Sequence, residues 1–162
     1  MNAARVFAVA LALALGLALG HAATPVLAAG LDSDSGSSAT QDPNYVEAKK
    51  QIKAGNYAAA VALLEKVVAA DPKNADAYNF LGYSQRKSGN KDAALVNYEK
   101  ALALNPKHRA ANEYLGELYL EMGDVDKAKE RLEVLDSACF FGCQEYRDLK
   151  KAIKAHDAEA SS

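Results

Sequence analysis

Three glycines, Gly55, Gly89 and Gly123, stand 34 residues apart, and much of the chain around them repeats at the same interval. Ala60, Ala94 and Ala128 keep that spacing, as do Pro72 and Pro106; Glu65-Lys66 recurs as Glu99-Lys100 and Leu81-Gly82 as Leu115-Gly116. A period of roughly 20 to 50 residues is the signature of a stacked array of one small supersecondary unit. Each unit reads as two helices. Gly-Asn or Gly-Asp joins them, because glycine accepts the left-handed backbone that ends a helix and the polar residue after it can cap the next. Asp71-Pro72 and Asn105-Pro106 stop the second helix, since proline disfavours helical backbone in the residue before it and lacks the amide needed to continue. Gly82 with Ala94, and Gly116 with Ala128, are small enough to let paired helices approach, and Leu64, Tyr98 and Leu132 are expected to fill the space beside them. One helix pair cannot bury its apolar stripe, so about three stacked units are the usual minimum.

The order of residues in a unit, an aromatic, Leu-Gly, a Gly turn, Ala, a large apolar residue, Ala and Pro, resembles the tetratricopeptide repeat family. The middle repeat carries it through Tyr78, Leu81, Gly82, Gly89, Ala94, Tyr98, Ala101 and Pro106. The first repeat has Glu47 and Ala48 at the Leu-Gly positions, and the third has Asn112 for the aromatic and Phe140 for the proline. The resemblance implies an all-α fold: a right-handed α-solenoid of three TPR helix pairs, at about 42–74, 75–108 and 109–141, plus a C-terminal capping helix. That helix is placed at about 143–156, where Tyr146, Leu149 and Ile153 recur at three- and four-residue spacing among Arg147, Lys150, Lys151 and Lys154. It is expected to cover the open end of the third repeat, closing a TPR domain at 44–156 and leaving 157–162 as a tail.

Ahead of the repeats, Arg5 precedes an apolar run from Val6 to Leu19, with small-residue cleavage sites at Gly20-His21-Ala22 and Val26-Leu27-Ala28. This predicts a signal peptide over 1–28, and the polar stretch 29–43 reads as a flexible linker. His21, Thr24 and Pro25 interrupt the apolar run before it reaches the ~20 residues of a membrane span, and no cysteine follows it to take a lipid. The chain is accordingly expected to be exported with no membrane insertion after cleavage: periplasmic in a Gram-negative bacterium, secreted otherwise.

With 19 Lys and Arg against 21 Asp and Glu, the chain as a whole gives no reason to expect nucleic acid or an anionic membrane. Three histidines, two cysteines and no tryptophan leave little for a metal centre or a histidine-driven active site. No glycine-rich phosphate loop, Gly-x-Ser-x-Gly elbow or His-Glu-x-x-His pair occurs. No catalytic residue, cofactor or metal is expected, and His108, just past Pro106, reads as a solvated turn residue. Cys139 and Cys143 lack the Cys-x-x-Cys redox spacing and have no second ligand pair for zinc. An exported chain matures where thiols oxidise, which favours a structural disulfide between them; reactive or metal-binding cysteines and unpaired thiols are the alternatives. A regular helix holds residues four apart with Cβ atoms ~5 to 6 Å from each other, wider than a disulfide spans, so the bond requires a helix break near Gly142.

Tetratricopeptide domains are generally protein-interaction scaffolds with a concave groove lined by the first helix of each repeat. The resemblance therefore implies binding of another protein or peptide, with a self-assembling structural solenoid as the alternative. The 34-residue period brings three rungs into register: Tyr45, Lys49 and Lys53; Asn79, Tyr83 and Lys87; Glu113, Glu117 and Glu121. Spacing of four puts each rung on one helix face. The groove runs from basic through aromatic to acidic, with Arg86 at its middle. Glutamates at this spacing repel by a few tenths of a kcal/mol per pair, and Lys87 on the neighbouring helix is the expected offset. Some family members hold a partner's terminal carboxylate with a Lys, Asn and Arg clamp. Here Tyr45, Lys49 and Phe80 occupy the relevant positions, so such a clamp is not expected.

Overall fold

Gly55, Gly89 and Gly123 adopt φ of 76°, 85° and 80°, and each closes a helix in the same way. The glycine amide donates to the carbonyl three residues back, and the next residue's amide reaches five back: Asn56 to Gln51 at 2.8 Å, Asn90 to Gln85 at 2.9 Å, Asp124 to Tyr119 at 2.8 Å. The computed structural model describes residues 42–140 and 142–160, so the expected signal peptide and most of the linker lie outside the described residues. Described are α1 (Pro43–Lys53), α2 (Tyr57–Ala70), α3 (Ala75–Lys87), α4 (Lys91–Leu104), α5 (Arg109–Glu121), α6 (Val125–Ala138) and α7 (Gln144–Ala160), with no strand among the described residues.

The first helix begins at Pro43, within the expected span of the first repeat. Asp42 caps α1 by accepting from the Asn44 amide at 2.7 Å, and Pro43 opens the helix with its φ already suited to it. Asn90 and Asp124 cap α4 and α6 as expected; Asn56 makes no cap bond and donates instead to Gln51 Oε1 at 2.9 Å. At the other end α7 runs to Ala160, past the expected boundary at 156. Ala155, Ala158 and Ala160 favour helix, and no Gly or Pro intervenes to stop it.

Each even-numbered helix packs on the odd-numbered helices before and after it, while successive odd-numbered helices also touch one another. The result is an all-α repeat solenoid whose inner side is formed by α1, α3, α5 and α7. Three apolar clusters run along it: Tyr45, Ala48, Leu64, Val67 and Leu81; then Ala94, Tyr98, Leu115 and Leu118; then Leu120, Ala128, Leu135, Leu149 and Ile153. A Cβ on Gly82 would lie 2.8 Å from Tyr98 Cδ1, as the small-residue argument requires. At Gly116 the neighbour differs: a Cβ there would lie 2.5 Å from Leu149 Cδ2, on α7. Leu149 takes the space assigned to Leu132, which is only partly buried, and Leu135 is the large side chain that α6 buries fully, beside Ala128.

Candidate functional site

The inner face is built by side chains at four-residue spacing on the odd helices, but they are not equally accessible. Tyr45 and Asn79 are 4% and 1% exposed. Tyr45 packs edge-on to Phe80, with ring centroids 5.9 Å apart, and burial together with the charge of Asp76 pushes its hydroxyl up to about 12. Lys49 lies 5.5 Å above the Tyr45 ring with its ammonium in solvent; Lys53 and Lys87 are likewise exposed. These three lysines form the accessible basic part of the face.

Tyr83 sits at its centre, 6.1 Å from the Tyr57 ring and 5.0 Å from the Tyr114 ring. Against this aromatic group lies Arg86, its guanidinium 6.0 Å from Tyr83 and 5.8 Å from Tyr114, with a side chain only 3% exposed. Its Nη2 donates to Glu117 Oε2 at 2.6 Å, and Nη1 lies 3.5 Å from Glu121 Oε1. Arg86, not Lys87, therefore offsets the glutamate row, assisted by Lys91 at 3.5 Å from Glu121. Lys87 turns instead over the Tyr83 ring at 5.6 Å.

Glu113 is 8% exposed and accepts no hydrogen bond among the described residues. Burial, with Glu117, Asp148 and Glu145 adding to it, pushes its carboxyl up to about 7, against which Arg86 acts only in part. Glu145 and Asp148 come from α7, and Tyr57 and Tyr114 are further members of the face that spacing alone does not single out.

His108 is not a solvated turn residue. Its Nδ1 accepts from the Ala111 amide at 3.2 Å, capping α5, and its Nε2 lies 2.8 Å from Asp76 Oδ1 on α3. With Nδ1 accepting, Nε2 is the nitrogen that donates to Asp76. That bond holds the Asp76 carboxyl below its ordinary range, against the effect of burial.

Cys139 and Cys143 are bonded to each other at 2.08 Å, in the break between α6 and α7, where Gly142 has φ 74°.

Two profiles described as tetratricopeptide repeat match residues 45–97 and 85–153, which together span α1 to most of α7. No curated protein matches the sequence. Among solved structures, the chain is similar to the Yersinia enterocolitica type III secretion chaperone SycD in complex with a peptide of the translocator YopD. The identity is 18%, covering 75% of this chain and 95% of that one, with a TM-score of 0.65. It is also similar to the Sgt2 TPR domain of Aspergillus fumigatus, at 21% identity, 75% and 80% coverage and a TM-score of 0.66. A third is PcrH in complex with the chaperone binding region of PopD, at 18% identity, 75% and 93% coverage and a TM-score of 0.64. The 34-residue period, the repeated glycine turns and the two profile matches agree: the chain belongs to the tetratricopeptide repeat family.

Proposed function

We propose that this chain is an exported, non-enzymatic scaffold that holds another protein or a peptide along the inner face of α1, α3, α5 and α7. The observation that carries this reading is the ordering of charge on that face. Exposed Lys49, Lys53 and Lys87 give way to Tyr83 and Tyr114 around Arg86, and then to Glu113, Glu117 and Glu121 with Glu145 and Asp148 beside them. An extended or helical segment with charges in the reverse order complements it, and salt weakens such association. SycD and PcrH, which share the fold, were solved with segments of their partners bound, which supports a peptide as occupant. Among the described residues no helix is long and apolar enough to cross a membrane. Amino-terminal sequencing of exported material tests the export claim, with a start between Ala23 and Ala29 expected.

The binding test avoids Glu117 and Tyr83, because removing Glu117 strands a buried guanidinium, at a cost of roughly 3 to 5 kcal/mol. Lys49, Lys53 and Lys87 are exposed and can be reversed to Glu without that cost. A partner is first identified by cross-linking in the native compartment, then purified. The triple variant is expected to lose its binding while helical content and melting temperature hold. Undiminished binding by the folded variant moves the site to the outer face or the termini.

A further inference from the structure

Glu113 is the least compensated charge on the inner face. Its neighbours on its own helix and on α7 are acids, namely Glu117, Glu145 and Asp148, and the nearest cation is committed elsewhere: Arg86 is bonded to Glu117 and close to Glu121. Arg109 reaches only Glu145, at 3.9 Å, and from an exposed position. Asp148 accepts from Gln144 at 2.7 Å, whereas Glu113, a residue 8% exposed whose carboxylate oxygens still reach solvent, accepts from nothing among the described residues. A carboxylate set among other acids with no donor is disfavoured in its charged form, and a cation from outside would relieve that. No three acidic, His or Cys groups among the described residues converge closely enough to hold a metal ion. Acids spread over two helices suit a long cation with several separate donors, which a Lys ammonium or an Arg fork supplies.

We infer that the α5–α7 end of the inner face seats one Lys or Arg side chain of the bound peptide, with Glu113 as its principal acceptor and Glu117 and Asp148 flanking it. This rests on the inner face being the binding face and adds the chemistry of one subsite. Seating a cation there favours the ionised carboxylate, so a Glu113 that enters protonated releases its proton on binding.

The probe is acetylated, amidated tetralysine, with the same peptide acetylated on every side chain as the neutral control. The full chain is titrated while the Glu113 Cδ resonance, assigned by its loss in Glu113→Gln, is followed by NMR. Saturating tetralysine is expected to lower the Glu113 titration midpoint by about one pH unit, with amide shifts concentrated on α5 and α7 and no response to the neutral peptide. Glu113→Gln relieves repulsion and so keeps the fold; it is expected to weaken tetralysine binding about tenfold, whereas Glu133→Gln on exposed α6 leaves it unchanged. An unmoved midpoint at saturation, or equal weakening by the two variants, overturns the subsite. Partner binding that is lost in the triple Lys→Glu variant and intact in Glu113→Gln refutes the subsite while leaving the inner face as the binding site.

Discussion

Glu113 makes the stability of this protein depend on pH in a definite direction. Its carboxyl titrates at about 7 in the folded chain against 4.5 as the ordinary value. The folded state thus holds the proton more tightly than the unfolded state does. Its contribution is fully present below pH 4.5, is lost as pH rises to about 7, and stays lost above that. The loss is on the order of 1 to 3 kcal/mol, because solvent at the carboxylate oxygens screens part of it. Glu113→Gln, which cannot ionise, is expected to be more stable than the parent in urea unfolding at pH 8, with the difference shrinking at pH 5. An equal difference at both values would mean the carboxyl is not perturbed. Gly116 offers a second test at this scale. Its missing Cβ is the space that Leu149 occupies, so Gly116→Ala must push the Leu149 side chain, both methyls and Cγ, out of a fully buried site. A loss of about 1 to 3 kcal/mol is expected, and Leu149→Ala in the same chain should recover part of it.

At the scale of helices, the period made the seven elements and their order legible, because the stops of α1 to α5 are written locally: a glycine whose φ is positive, or an Asx-Pro pair. Which side chains turn inward was less legible. Arg86 and Lys87 differ by ~100° around the helix axis, and only the packing of α3 on α5 decides that the first is buried with the glutamates and the second faces solvent. Glu145 and Asp148 were missed for another reason. α3 and α5 begin 34 residues apart, at Ala75 and Arg109, but α7 begins 35 after α5, at Gln144, because the cysteine loop adds one residue. A strict period therefore points one residue away from Asp148. His108 is the case where the signal was present, since it lies 34 residues after Asn74, the residue that caps α3. His108→Ala is expected to cost roughly 1 to 2 kcal/mol at neutral pH through loss of the α5 cap. His108→Asn keeps an acceptor for the Ala111 amide while giving up Asp76, so it should recover most of that; no recovery would assign the loss to the Asp76 bond.

Across the whole array the two ends are held differently. In a stacked repeat each unit touches only its neighbours, so opening begins at the ends and the order of opening reports local fastening. At the first end, α1 is held by packing of Tyr45 and Ala48 against α2 and α3. At the other, α7 buries Leu149 and Ile153 and is also tied to α6 through Cys139 and Cys143, four residues apart in sequence. Closing so short a loop restricts the open ensemble by about 2 kcal/mol on the chain-entropy account. The middle is joined more strongly, because Arg86 on α3 is buried against Glu117 and Glu121 on α5 while Tyr83 bridges Tyr57 and Tyr114. Native-state hydrogen exchange of the oxidised chain should therefore show α3 to α5 most protected. Reducing the disulfide, or replacing both cysteines with Ser, is expected to speed exchange in α7 by about 30-fold, the equivalent of that 2 kcal/mol, and to leave α1 to α4 unchanged. Acceleration of every helix by the same factor would instead mean that the seven helices open as a single cooperative unit, and the disulfide would then be a fastening of the whole array rather than of its last helix.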